Sequence, residues 1–308
     1  MNLAATNPDV RAALRQISGV SVTAYLANGE VNPQTTAKIS QRIASAGVKN
    51  VISAGNTGEF FSLSIDEVRK VTEIITEAID HKAIVTASVG RSLREAKALS
   101  NHAKSSGADC IMVHYPTDPF ASPAQKVDYF CAIAEHADLP VVAYLRSDEA
   151  SVAEMTRLAE HENIVAIKYA NTNLIKFSDV VRASAHTDTI WICGLAEGWA
   201  APFYALGATG FTSGLVNVFP KISLGIYEAL ENGDYFQSRE LVGAIAEFEG
   251  LRTLLNNGTN VTVVKEALEL TFEKVGDVRL PGVSRLSDKH HQQLAKLVVN
   301  LERLERSL

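Results

Sequence analysis

Val20-Ser21-Val22-Thr23-Ala24-Tyr25-Leu26-Ala27-Asn28-Gly29 is the stretch on which the fold turns. Residues 20–25 read as a first strand, and the turn that follows them carries no G-x-G-x-x-G. An open, doubly wound sheet places its phosphate-binding glycines in that first turn. Without them, the other arrangement of parallel strands is favoured, a closed (β/α)8 TIM barrel of α/β class.

Outward from this turn, short apolar runs alternate with amphipathic segments. A helix bearing Ile39, Ile43 and Ala46 leads to a strand at 51–53. Ser64 with Glu67 forms a capping box, in which hydroxyl and carboxylate satisfy each other's backbone N–H. It opens a helix whose apolar stripe is Val68, Val71, Ile74, Ile75 and Ala78. Residues 83–88 form the third strand, and Ser92 with Glu95 repeats the box. The fourth strand is 110–113, followed by a helix started by Ser122 and Pro123. The fifth strand is 140–144, and Ser151 with Glu154 caps a helix that turns Val152, Met155, Leu158 and Ala159 inward. Strands at 164–168, 190–193 and 210–214 alternate with helices at 174–185 and 198–206. Eight strand–helix units imply parallel strands with helices outside them. The strands are continuous apolar runs, as required when both faces are covered. Further helices are expected at 221–232, 234–255, 261–272 and 287–308. The chain thus reads as one domain over 1–308, a barrel over 19–225 and a C-terminal helical extension over 226–308. A length of 308 residues suits this, since such barrels need about 250 plus insertions.

Charge and composition narrow the function. The formal net charge of -6 and the lack of a dense basic run argue against a nucleic-acid partner. No apolar run approaches the roughly 18 residues of a membrane span. No basic-then-apolar start marks a secretory signal, so a cytoplasmic protein is expected. Cys110, Cys131 and Cys193 form no C-x-x-C and read as small buried hydrophobes in a reducing compartment.

In such a barrel, chemistry sits at the C-terminal ends of the strands. Lys168 ends the apolar run Ile164-Val165-Ala166-Ile167. Desolvation there favours the neutral amine, which can attack a ketone and form a Schiff base; a lysine paired with a rim carboxylate is the structural alternative. Tyr144 ends the neighbouring strand, where its phenol can move protons; a core tyrosine would look the same. In Gly55-Asn56-Thr57-Gly58-Glu59, two glycines flank Asn56 and Thr57. Successive N–H groups through Gly58, with those two side chains, can hold a carboxylate, or the segment can be an ordinary turn. Gly194, Thr212 and Ser213 lie at the ends of the last two strands and are candidate substrate contacts. The histidines, His114 among them, are scattered, with no H-E-x-x-H. No metal site or cofactor is expected.

Taken together these residues resemble the dihydrodipicolinate synthase and N-acetylneuraminate lyase family of class I aldolases. The matching pieces are the 55–64 segment, Ile164-Val165-Ala166-Ile167-Lys168-Tyr169-Ala170, the 207–213 segment through Asn217, Val264-Lys265-Glu266-Ala267, and Arg279-Leu280-Pro281. The resemblance covers residues 19–287. It implies a Schiff-base lysine at Lys168, a proton-relaying tyrosine at Tyr144, and a threonine at Thr57 that binds the substrate carboxylate and joins the tyrosine relay. It also implies a pyruvate-like 2-oxo acid as substrate, no cofactor, and a homotetramer built as a dimer of dimers.

Departures from the pattern refine the expectation. Asn56 stands where the family usually has a threonine. Five positions after the tyrosine, where dihydrodipicolinate synthases carry an arginine that holds the second substrate's carboxylate, this chain has Glu149. Tyr115 matches only loosely the tyrosine lent to a neighbouring subunit. Gly58-Glu59-Phe60-Phe61-Ser62-Leu63 and Tyr144-Leu145-Arg146 are more similar to 5-dehydro-4-deoxyglucarate dehydratases. A dehydratase of a keto-deoxy sugar acid is therefore expected. The alternatives are dihydrodipicolinate synthase or another pyruvate-dependent aldolase, a non-catalytic 2-oxo acid binding barrel, and a divalent-metal aldolase.

Overall fold

The computed structural model describes residues 8–308; the first seven residues of the expected domain lie outside it. In chain order the elements are α1 (Pro8–Leu14), β1 (Ile17–Val20), α2 (Pro33–Ser45), β2 (Asn50–Ser53), α3 (Ile65–Ile79), β3 (Ile84–Val89), α4 (Leu93–Ser105), β4 (Cys110–Val113), α5 (Pro123–Ala134), β5 (Val141–Leu145), α6 (Val152–Ala159), β6 (Ile164–Tyr169), α7 (Leu174–Ala183), β7 (Ile190–Cys193), α8 (Glu197–Ala205) and β8 (Gly210–Ser213). Then come α9 (Pro220–Glu231), α10 (Tyr235–Arg252), the short α11 (Leu254–Asn257), α12 (Asn260–Thr271) and α13 (Asp288–Ser307). The strands close in sequence order, all parallel, with β1 pairing to both β2 and β8. This is a (β/α)8 barrel with helices after it.

Local signals act where the sequence places them. Ser64, Ser92 and Ser151 each cap their helix with the reciprocal serine–glutamate pair. Along the strands, alternate residues separate two cores. Val20, Ile52, Met112, Val142, Tyr144, Ala166 and Ile192 fill the barrel. Ile17, Val51, Val85, Ile111, Ala143 and Ile167 pack under the helices. Cys110 and Cys193 are buried, as expected, but Cys131 is only half-buried.

Besides the helix expected over 234–255, which ends at Arg252 and is followed by the separate α11, two elements differ from the sequence reading. Strand β1 runs Ile17–Val20 rather than over 20–25. Beyond Ser21 the backbone donors serve other partners. The Val22 N–H binds Asn217 Oδ1, the Ala24 N–H binds Thr36 Oγ1, and the Tyr25 N–H binds the Val275 carbonyl. The apolar alternation there serves a packed connection, not a ladder. The second difference is α1, which was not expected. Its Val10 and Leu14 enter the interior cluster at the barrel's N-terminal end. Among the described residues, no helix is long and apolar enough to cross a membrane.

The post-barrel helices hold the loop after β2 through a buried ion pair. Lys265 of α12 and Glu59 are 2.5 Å apart, with both side chains nearly fully enclosed. Arg279 grips Glu67 of α3 through both terminal nitrogens, and its backbone N–H donates to Glu59. The Tyr25 ring lies 4.1 Å from Lys265 Nζ and 4.1 Å from the Arg279 guanidinium carbon. Breaking a buried pair from one side leaves an uncompensated charge. Lys265→Met is therefore expected to lose about 3–5 kcal/mol of stability, read as a lower urea midpoint. Adding Glu59→Gln should recover part of that loss, and an unchanged midpoint in the single variant would refute the role of the pair.

Candidate active site

Strand alternation decides which side chains meet at the barrel mouth. Val142 and Tyr144 face the interior, as does Ala166, while Leu145, Ile167 and Tyr169 face the helices. Lys168, two residues after Ala166, continues the inward row. The register sets Tyr144 directly beside Lys168. Lys168 is 4% exposed, and its Nζ stands 4.0 Å from the Tyr144 ring centroid. Burial penalises the ammonium form and the Arg146 guanidinium repels it, bringing Lys168 down to about 7 against a weaker opposing pull from Cys193. Among the described residues no carboxylate acts on it. The alternative of a rim ion pair is therefore not what the structure has.

Tyr144 is pushed up by burial, against the opposing effects of Arg146 and Asn56. It stays a protonated phenol at neutral pH, able to give and retrieve a proton. Its oxygen accepts a hydrogen bond of 3.2 Å from Asn56 Nδ2. The side chain that touches Tyr144 from this loop is thus Asn56, not Thr57. Arg146 is exposed just beyond the end of β5, close enough for its charge to act on Lys168, Tyr144 and His114. The neighbouring acids are engaged elsewhere, Asp148 with Lys176 at 3.0 Å and Glu149 with Lys126 at 2.6 Å. Tyr115 also donates to Glu149, at 3.2 Å.

The loop carrying Asn56 and Thr57 is bent between two non-glycine residues in left-handed conformation, Ala54 (φ 49°) and Glu59 (φ 65°). Such strain persists only when surroundings over-determine it, and Lys265 and Arg279 do so here through Glu59. A Cβ on Gly58 would sit 2.8 Å from the Ser21 carbonyl oxygen, so only glycine admits this approach. Thr57 is 8% exposed, and its methyl lies 3.4 Å from where a Cβ on Gly214 would be, toward β8.

The remaining candidates divide. Thr212 follows the inward row of β8, its hydroxyl reaching the Cys193 carbonyl at 3.5 Å. Gly194 lets β7 pass Ala170, whose Cβ would lie 2.6 Å from a Cβ there. Ser213 is not brought in by its side chain, which points outward, donates to Glu197 and contacts Ser223. The reason is register: Phe211 faces the helices, so Ser213 does too. Glu197, fully buried and raised by burial, was not singled out from sequence. Nor was His114, which the structure places beside Tyr144 at 5.7 Å between ring centroids. No sequence signal separates it from the other histidines. Among the described residues, no group of three or more His, Cys, Asp or Glu side chains is placed to hold a metal ion.

Comparison with known proteins agrees with this fold. The model of the dihydrodipicolinate synthetase family matches residues 13–301. A 4-hydroxy-tetrahydrodipicolinate synthase from Methanopyrus kandleri is 34% identical over 247 residues, covering 78% of this chain and 80% of its own. A probable 5-dehydro-4-deoxyglucarate dehydratase from Acinetobacter baumannii is 27% identical over 287 residues, covering 91% and 93%. The crystal structure of dihydrodipicolinate synthase from Bacillus clausii superposes with a TM-score of 0.92 at 35% identity, covering 95% of this chain and 99% of that one.

The lysine's acidity is directly measurable. Competitive acetylation followed by peptide mass spectrometry should show Lys168 becoming reactive through about pH 7. Arg146→Gln removes a repelling cation, so the midpoint should move up. A wild-type midpoint near the ordinary lysine value of about 10.4 would contradict the burial argument.

Proposed function

Because the chain belongs to the dihydrodipicolinate synthetase family, and is thereby a Schiff-base lyase, we propose that Lys168 forms the imine and that the substrate is a keto-deoxy sugar acid, dehydrated in the manner of 5-dehydro-4-deoxyglucarate. One observation carries the assignment: a buried amine with no carboxylate partner, 4.0 Å above the ring of Tyr144.

The substrate carboxylate lies on the loop of Asn56, Thr57 and Gly58, whose N–H groups and side chains can receive an anion. The neutral Lys168 amine adds to the keto carbon C2. Tyr144 gives a proton to the carbinolamine oxygen, which leaves as water and yields the iminium. That cation withdraws electrons from C3, so a C3 proton passes to the Tyr144 phenolate and restores the phenol. The electron pair then moves to form the C3–C4 double bond as the C4 hydroxyl departs, protonated by Tyr144. Water finally hydrolyses the iminium, and the proton that this releases returns Tyr144 to the phenol and leaves Lys168 as the neutral amine. Gly194, just after β7, and Thr212, on the inward row of β8, complete the proposed contacts.

A dehydratase named among the relatives supports the dehydration reading. Synthases are named there too, and the same iminium could serve C–C bond formation. Against that outcome stands Glu149, an acid held by Lys126 and Tyr115 where the synthases that the sequence resembles carry a carboxylate-binding arginine. We read the protein as a cytoplasmic homo-oligomer, a dimer of dimers. The 96% exposed Phe120 and 79% exposed Ile175 support a covered surface.

Borohydride with pyruvate is expected to add the reduced pyruvyl mass to Lys168, and Lys168→Met to abolish both adduct and turnover. An active enzyme whose Lys168 stays unmodified would rule the mechanism out. A panel of 5-dehydro-4-deoxyglucarate, 2-keto-3-deoxy sugar acids, N-acetylneuraminate, and pyruvate with aspartate semialdehyde should show turnover of the first alone or foremost. Light scattering should give four times the monomer mass of 33.2 kDa, and a monomer would remove the assembly reading.

A further inference from the structure

His114 follows β4 directly and is 1% exposed. Its ring lies flat on Phe60, with centroids 4.0 Å apart and planes 16° from parallel, and Phe61 meets it edge-on at 5.5 Å. The ring hydrogen-bonds the Ala54 backbone, while Nε2 is buried with no hydrogen-bond partner among the described residues. Burial, with the Lys168, Arg146 and Arg91 cations, pushes the imidazole down to about 3, so it is neutral under all working conditions. A neutral imidazole has one N–H. Since Nε2 has no partner, the bond to Ala54 falls to Nδ1, which then carries the proton and leaves Nε2 as the acceptor. At the same phenol, Asn56 donates its Nδ2–H to Tyr144, and its Oδ1 is likewise buried, with no hydrogen-bond partner among the described residues.

Two buried acceptors, from the loops after β2 and β4, thus belong to side chains next to the tyrosine that lies beneath Lys168. Buried acceptors without donors are uncommon in folded proteins. The chemistry of the mouth restricts what could supply the donor. An ammonium group would be repelled by Arg146 and by protonated Lys168. A second carboxylate has no proton to offer. A hydroxyl is neutral and gives one hydrogen bond.

We propose that His114 Nε2, with Asn56 Oδ1 beside it, accepts a hydrogen bond from a substrate hydroxyl on the carbons beyond the keto group, so that the site selects hydroxylated 2-oxo acids over unhydroxylated ones. This rests on the Schiff-base reading above and names the feature of the substrate that the site recognises. A pocket built to bond a hydroxyl rejects the analogue that lacks it, because its own polar groups then stay bare.

The test measures the concentration of 2-oxo acid that gives half-maximal borohydride labelling of Lys168. Two acids are compared, one bearing a C4 hydroxyl and the same acid without it, with pyruvate as reference. In the wild type the hydroxylated acid should half-saturate at a concentration at least about tenfold lower than its deoxy counterpart. His114→Asn places its amide N–H where Nδ1 was and keeps the Ala54 bond but withdraws the acceptor, so the ratio should fall to near unity. His114→Gln reaches to the place of Nε2 with an amide oxygen and should restore most of the preference. Each ratio is taken within one variant, which normalises for any loss of folded protein. Equal half-saturation in the wild type would mean that a fixed water satisfies Nε2, and would overturn the proposal. A preference that survives His114→Asn would overturn it too. If none of the three acids labels Lys168, it is the Schiff-base reading that fails; labelling without preference leaves that reading standing and removes only this one.

Discussion

An ammonium ion gives up its water only at high cost, and the barrel is arranged so that Lys168 must. The amine sits on the inward row of β6, above Ala166 and beside Tyr144. Among the described residues no acid is placed to offset the loss, and the strongest charged neighbour, Arg146, adds to it. A salt bridge would have kept the lysine charged and inert as a nucleophile. What the rest of the fold supplies is the means of holding such a site: eight strands closed on one another, so that the inward row has no edge through which water or a counter-ion can enter.

The loop facing the lysine is held from outside the barrel. Its left-handed residues Ala54 and Glu59 are not conformations it would choose alone. Glu59 is fixed by Lys265 and by the Arg279 N–H, both far along the chain. The C-terminal helices therefore do more than cover apolar surface. They set the shape of the segment that presents Asn56 and Thr57.

Much of this was legible in the sequence because it is local. Three serine–glutamate boxes, each spanning four residues, started their helices where expected. A lysine ending an apolar strand pointed at the mouth because alternation is a short-range rule. What escaped was tertiary. The 20–25 stretch looks like a strand, yet its N–H groups are taken by Asn217, Thr36 and Val275. Helix α1 is short, and nothing in its own residues says that it packs into a barrel. Ser213 sits at the right height on the wrong face. His114 is one histidine of eight, and its free nitrogen is defined by Phe60 and Ala54, which lie more than fifty positions away.

Helix α1 also bears on traffic. With Val10 and Leu14 packed into the end of the barrel remote from Lys168 and side chains filling the interior, passage is through the mouth at the C-terminal ends of the strands. Reactant, expelled water and product must all pass the rim near Arg146 and the β2 and β4 loops. A product molecule still departing stands in the path of the next arrival, so the groups that attract a substrate to that threshold also set how quickly its remnant can leave.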